Sequence, residues 1–457
     1  MPGLSEQKIQ IVRRLVETSP DRVVGALQAA LAGARGDPAL SDVRRLVDAE
    51  AEDRRLRNGI LQPVAALFRT PESADALAFP ARALAHIWRG LRQLAPQDVA
   101  AAAALLEDFR PGETSPQLLD DLTRLAGEAL RARAPADFAV AAELCDQARP
   151  GGAELLAGCF DLGTICRAAT LRLADWINRT TDANTAAARL AYNDAVDVAD
   201  DAGCRFFEML ATQLAHPWMV LRIISAVMDR PSEQYAAGSE LAPFVLRLFD
   251  EIDRGLEAVT RLEVDGGVKA GVAAAKRVEA ISQQISEIEE SIETARGGPW
   301  GTRLAGQKRA LAATVEERLR AAEKSTLAAL PTHPVKVSKH VKNLPRLTVA
   351  PDPKAVEQAR TLLTFAHEIR SSANHGGFAS SRAKLIEKLS ETLGAHVEEV
   401  LDHLRSGEPV DMAIALQHLE TAAEFSVAIG DDKSAELFRR RAAVAASNQE
   451  AQSSSAA

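Results

Sequence analysis

Two histidines and a glutamate near the C-terminal end have the side-chain types that hold metals and move protons. His396, Glu399 and His403 fall at i, i+3 and i+7 of a helical pattern, so they share one side of a helix. His367 and His418 lie in neighbouring helical runs and could approach the same place. Such a set offers a zinc-type centre or an acid/base pair. Spacing argues against the metal. Residues seven apart are separated by about 10.5 Å along the axis, against about 6 Å for an i, i+4 pair, so one ion would need leaning side chains and further ligands. The competing reading is exposed histidines, with Glu399 and His403 as a helical ion pair. No metal and no cofactor is expected, and His396, Glu399 and His403 are the candidates if a site assembles.

Other motifs fail on spacing. Gly301-Thr302-Arg303-Leu304-Ala305-Gly306-Gln307-Lys308 has the glycines and lysine of a phosphate loop. However, Gln307 separates the second glycine from the lysine, no Ser or Thr follows, and the flanks read as helix where a strand is needed. Cys145, Cys159, Cys166 and Cys204 form no CxxC and sit among Ala and Leu, where a thiol is filler; Arg167 beside Cys166 is the one opening for reactivity. Asn193, Asp194, Asp197, Asp200 and Asp201 could offer carboxylates to a divalent ion, but they lack the glycine and ligand order of a calcium loop and read as a solvated face. No GxSxG is present.

The elements that would have to position these residues are helical. Apolar content of 47% with only 4% aromatics is carried by Ala, Leu, Val and Ile, which suits closely packed helices. Helical runs are broken at Ser19-Pro20-Asp21, Gly36-Asp37-Pro38, Thr70-Pro71, Ala95-Pro96, Pro111-Gly112 and Pro150-Gly151-Gly152, with no fixed repeat period. The apolar run from Phe206 to Met228 carries Glu208, Gln213, His216, Pro217 and Arg222, and reads as two core helices meeting at His216-Pro217, with no membrane span. Val278, Ile281, Ile285, Ile288 and Ile292 are spaced 3, 4, 3, 4, and Leu304, Leu311, Val315, Leu319 and Ala322 follow a glycine-rich turn. This predicts a long antiparallel hairpin that projects and closes on itself, with Trp300 at its tip either anchoring a partner or stapling the turn.

Beyond Leu330 the chain turns Pro-rich and basic. Lys336, Lys339, Lys342 and Arg346 have no acid near them between Glu323 and Asp352, which predicts an extended basic linker. It lacks interleaved aromatics for base stacking. The run Ala413 to Phe438 resembles a single tetratricopeptide-type helical hairpin; it matches neither that family's tryptophan, leucine and glycine positions nor its repetition, so no binding residues carry over.

The 457 residues carry 54 basic and 63 acidic side chains, a net charge of −9 that disfavours nucleic acid and anionic membrane unless the bases segregate. The cysteine usage and the absence of an n-region and apolar run at the start suggest a cytoplasmic protein, and the Ala- and Arg-rich style suggests a bacterial, GC-rich source.

The expectation is an all-α chain: a multi-helical bundle or irregular α-solenoid with a long antiparallel helical hairpin. It divides into an N-terminal helical region (1–150), a central one (151–265), the hairpin (266–330), the basic linker (331–353), a C-terminal helical module (354–447) and a disordered tail (448–457). The expected function is a non-enzymatic scaffold or adaptor that binds protein partners through interhelical grooves and the hairpin, with homo-oligomerisation open. Two alternatives are an all-helical enzyme with a site near His396, Glu399 and His403, and anionic membrane or nucleic-acid binding through 336–346.

Overall fold

In the computed structural model, residues 5–33, 38–71, 76–108, 116–178, 181–228, 230–337, 340–406 and 410–455 are described. The chain forms an all-α, multi-helical fold of two compact units, Met1–Arg230 and Pro231–Ala457.

The first unit opens with α1 (Glu6–Thr18), α2 (Asp21–Ala32) and α3 (Pro38–Ile60). Val16, Val24 and Val47 form a small core of their own. Next come α4 (Gln62–Ala65), α5 (Ala81–Leu94), α6 (Pro96–Asp108), α7 (Gln117–Ala132), α8 (Ala136–Ala148) and α9 (Gly152–Asp161). The unit ends with α10 (Gly163–Thr170), α11 (Leu173–Asn178), α12 (Asp182–Val196), α13 (Ala202–Ala211) and α14 (Val220–Val227). Prolines 20, 80, 116 and 135 stand immediately before helices, where their fixed φ is compatible with entry and no donor is lost. α5 and α8 approach closely because residue 90 is glycine: a Cβ there would lie 2.6 Å from the Phe138 ring. The expected break at His216-Pro217 is a 3-10 turn between α13 and α14, and both helices bury their apolar faces. No helix among the described residues is long and apolar enough to cross a membrane.

The second unit contains α15 (Glu233–Ala237), α16 (Ala242–Thr260), α17 (Gly267–Ser291) and α18 (Pro299–Ala329). Two strands follow, β1 (Thr332–Val337) and β2 (His340–Pro345), then α19 (Pro353–Glu368), α20 (Ala379–Arg405), α21 (Met412–Ala428) and α22 (Asp432–Ser455). Asp352 and Asp411 accept from the first backbone N–H groups of α19 and α21, the usual work of an N-cap carboxylate.

Three expectations meet a different outcome here. The seam residues of α17 and α18 are buried, but they lie against α16 and α19 and the two arms meet each other at few positions. A 3, 4 spacing specifies a helical partner without saying which, and α19 fits closely because Gly271 lets its backbone reach α17; a Cβ at 271 would lie 2.4 Å from the Thr361 carbonyl. Both arms therefore sit within the unit and do not project. The segment read as an extended linker is an antiparallel β-hairpin that pairs Thr332 with Pro345 and Val337 with His340. Its valines favour strand, and a two-stranded ribbon has only edges, where proline is tolerated. The segment 448–455, expected as disordered tail, continues α22.

Candidate functional site

His396 lies in the apolar stripe of α20 formed by Leu385, Leu389, Leu393, Val397 and Val400, and His418 in that of α21 with Ala415, Leu419, Ala422 and Phe425. Both rings are buried, 7% and 0% exposed. They stack with centroids 5.3 Å apart and planes at 17°, and Nε2 of His396 is 3.1 Å from Nδ1 of His418. The other nitrogen of His418, Nε2, lies 3.0 Å from the carbonyl oxygen of Val349, in the segment leaving β2.

A carbonyl only accepts, so His418 carries its proton on Nε2, and its bare Nδ1 accepts from the Nε2–H of His396. Burial pushes His396 down to about 4, with His418 as a secondary cause. His418 is lowered by burial, with the Val349 carbonyl opposing. Both imidazoles are neutral at pH 7.

The remaining members of the sequence-derived set do not join this pair. His403, on the last turn of α20, turns its Nδ1 to the backbone carbonyl of Glu399, 3.0 Å away. His367 accepts from Arg370 and donates to the Ile429 carbonyl through Nδ1 at 3.0 Å, joining the C-terminal ends of α19 and α21. Among the described residues, no group of three or more His, Cys, Asp or Glu is placed to hold a metal ion.

Trp300 is buried, 6% exposed, with its ring edge-on to Phe249 at 6.4 Å. It staples the first turn of α18 and does not present itself as a surface anchor. The backbone N–H groups of Ala295, Trp300 and Gly301 donate to the buried carboxylate of Glu233 at 3.0, 2.8 and 3.3 Å. The first residue of the phosphate-loop-like segment, Gly301, thus joins Ala295 and Trp300 in holding a carboxylate of the same chain at the positive end of a 31-residue helix, and Lys308 pairs with Glu289. Lys336 and Lys342 lie on β1 and β2 with side chains outside the described set, and Lys339 lies outside the described residues. Arg346 is exposed just after β2, and its N–H donates to Pro331 at the hairpin base.

Sequence reasoning missed the arginines. Arg54 reaches the carbonyls of Val16, Glu17 and Ser19 at the end of α1, together with Asp21 and Glu50. Arg167 reaches Gly59 and Ile60 at the end of α3, and also Leu119, Thr123 and Asp120. Arg189 does the same for α14, Arg222 for α11, Arg318 for α16 and Arg382 for α19. Each supplies donors to orphan carbonyls at the negative end of a helix. An arginine inside an apolar run, such as Ile165-Cys166-Arg167-Ala168-Ala169, is the one trace this leaves in the sequence.

On α5 and α8, His86 Nδ1 lies 2.8 Å from Asp137, which also receives Arg89 and Gln93; against the opposing effect of burial, His86 and Arg89 hold its carboxyl below the usual range. The buried thiols are inert: burial raises Cys145 and Cys159 to about 12 and Cys166 well above its ordinary value. Between α18 and α20 lies a shallow cleft of about 250 Å³, where Lys388 pairs with Glu323 at 2.5 Å and Ser381 donates to Glu316 at 3.0 Å.

No protein-family model, curated protein or solved structure matches the chain.

Proposed function

We propose that the protein is a cytoplasmic, non-enzymatic helical scaffold that binds protein partners through outward helix faces. One observation carries this reading. Among the buried ionisable side chains, Arg54, Arg167 and Glu233 are bonded to helix ends and His418 to a loop carbonyl and to His396, while Arg57 bonds to Asp21 and Glu287 accepts from Ser291. Side chains bonded to helix ends or loops hold helices in fixed relation, which is what a presenting surface needs, and none of these buried groups lines the cleft between α18 and α20.

The face offered first is on α1. Ile11 and Leu15, one turn apart, are each 60% exposed, while Val16 on the opposite side enters the core. A partner helix laid along such a face would use i, i+4 anchors. The buried thiols Cys145, Cys159 and Cys166 support a reducing compartment.

The test is affinity isolation of the full chain from native extract, beside an Ile11→Glu/Leu15→Glu variant with unchanged thermal unfolding. A stoichiometric protein partner that is depleted by the variant is the expected result. Recovery of the chain alone, or turnover of a small molecule by the purified protein, overturns the reading.

A further inference from the structure

We infer that His396 and His418 form an acid-operated latch that ties the segment leaving the β-hairpin to α20 and α21. The argument starts from the direction of the hydrogen-bond chain. Three elements meet at two rings: α20 supplies His396, α21 supplies His418, and the loop supplies the Val349 carbonyl. The proton on His396 Nε2 points to His418, and the proton on His418 Nε2 points to Val349, so each ring carries one proton and every contact between them is satisfied.

A further proton has no comfortable place. On His418 Nδ1 it sets two N–H donors head to head across 3.1 Å, which breaks the ring contact or forces His396 into its other tautomer. On His396 Nδ1 the chain survives, but a cation is then enclosed at 7% exposure.

The surrounding elements provide no relief. On α20, Glu398 pairs with Arg441 of α22, Asp402 pairs with Arg405, and Glu399 is half-exposed beside His403. On α21, Glu420 pairs with Arg439 of α22, and Glu424 with Arg360 of α19. Beside Val349, Arg346 and Asp352 are exposed, the latter capping α19. His367 of α19 is engaged with Arg370 and Ile429. The groups that set His396 are burial and His418, and those that set His418 are burial and the Val349 carbonyl, with no carboxylate among them. Protonation therefore favours the conformation in which the rings reach water, which requires α20, α21 and the Val349 segment to part.

The released segment is the exit of the β-hairpin, whose base is closed by Arg346 donating to Pro331, only three residues from Val349. The latch thus couples acidity to the attachment of the basic hairpin. A group held at about 4 in the closed state and at 6.5 in the open one makes opening about 30-fold more favourable at pH 5 than at high pH.

The test is hydrogen exchange on the full chain at pH 7.5 and pH 5, corrected for the intrinsic pH dependence of exchange, with imidazole resonances of His396 and His418 followed by NMR. Peptides covering 343–352 and 412–422 are expected to lose protection by at least about tenfold on acidification relative to α7 and α10, in step with rings that titrate well below 6. A His396→Gln/His418→Gln variant, which keeps neutral donors, is expected to abolish that response. An equal response in the variant overturns the latch. Should the variant not fold, the wild-type rings decide alone: titration near 6.5, or opening that does not follow their titration, overturns it.

Discussion

The first unit ties its helix ends with guanidinium groups, whereas the second relies more on a carboxylate and two neutral imidazoles. Arg54, Arg167, Arg189 and Arg222 each reach terminal carbonyls of another helix in the first unit. Arg318 and Arg382 do so in the second, where the deepest polar positions belong to Thr326, Thr361, His418 and Ser426, and Glu233 is also buried. Lys8 is the single lysine among residues 1–268. Guanidinium presents a rigid fork of donors that serves several carbonyls at once, and it never loses its charge in the accessible pH range, whereas imidazole serves one acceptor and changes state near neutrality. One unit is therefore built from pins that ignore pH, and the other contains a junction that responds to it.

The severest way to break this comparison is to remove a pin. Arg167→Ala strips donors from Gly59, Ile60, Leu119 and Thr123 and leaves Asp120 facing a low-polarity site. Burial outweighs mutual attraction on both sides, lowering Arg167 and raising Asp120, so the pair organises helices more than it adds net stability. Deleting one partner of such a pair costs about 3–5 kcal/mol. Urea unfolding followed by exchange protection in α3, α7 and α10 should show that loss, with α20 and α21 unmoved; a cost under about 1 kcal/mol would remove Arg167 as an organising group.

Acidification is the next largest effect and separates the units most directly. His396 has a folded value of about 4 against 6.5 unfolded, so between these values the unfolded chain binds more protons. Its contribution is complete above 6.5 and is lost as pH falls toward 4, for about 3 kcal/mol. In the first unit Asp21, held down by Arg57, Asn58 and Arg54 against the opposing effect of burial, keeps its contribution above the ordinary carboxylate value of 3.8 and loses it only below. Between pH 6.5 and 4 the second unit should weaken while the first holds, measured as residue-resolved exchange; parallel loss in both would erase the distinction.

Much of this was legible in the chain before folding. The helices follow from apolar spacing and from breakers such as Ser19-Pro20 and His216-Pro217, because those signals act over a few residues. The β-hairpin was hidden behind its prolines and lysines, since strand pairing depends on a partner that composition does not name. His396 and His418 stand out by type and their approach is among the sequence's own expectations, but Glu399, His403 and His367 are expected beside them and lie elsewhere. Only the apolar stripe shared by Leu389, Leu393 and Val397 places His396 inside, while Glu399 turns off it and His403 sits at the helix end. The capping arginines carry no motif at all, because Arg167 meets Ile60 across more than one hundred residues.

A finer probe of the comparison is the carboxylate that does in the second unit what guanidinium does in the first. Glu233 accepts three backbone donors around the first turn of α18, and its own N–H pairs with Glu293, whose N–H returns to Pro231. The site is a helix N-terminus, so the charge adds to the hydrogen bonds. Glu233→Gln keeps one accepting oxygen and sets an amide donor against at least one of the N–H groups. It should cost about 2 kcal/mol, less than the loss of Arg167 because fewer elements converge there. Exchange should rise in 295–304 first, with α19 and α20 following only under added urea. If Glu233→Gln matched the wild type, the charge would be idle and the turn would hold through its backbone bonds and Trp300 against Phe249.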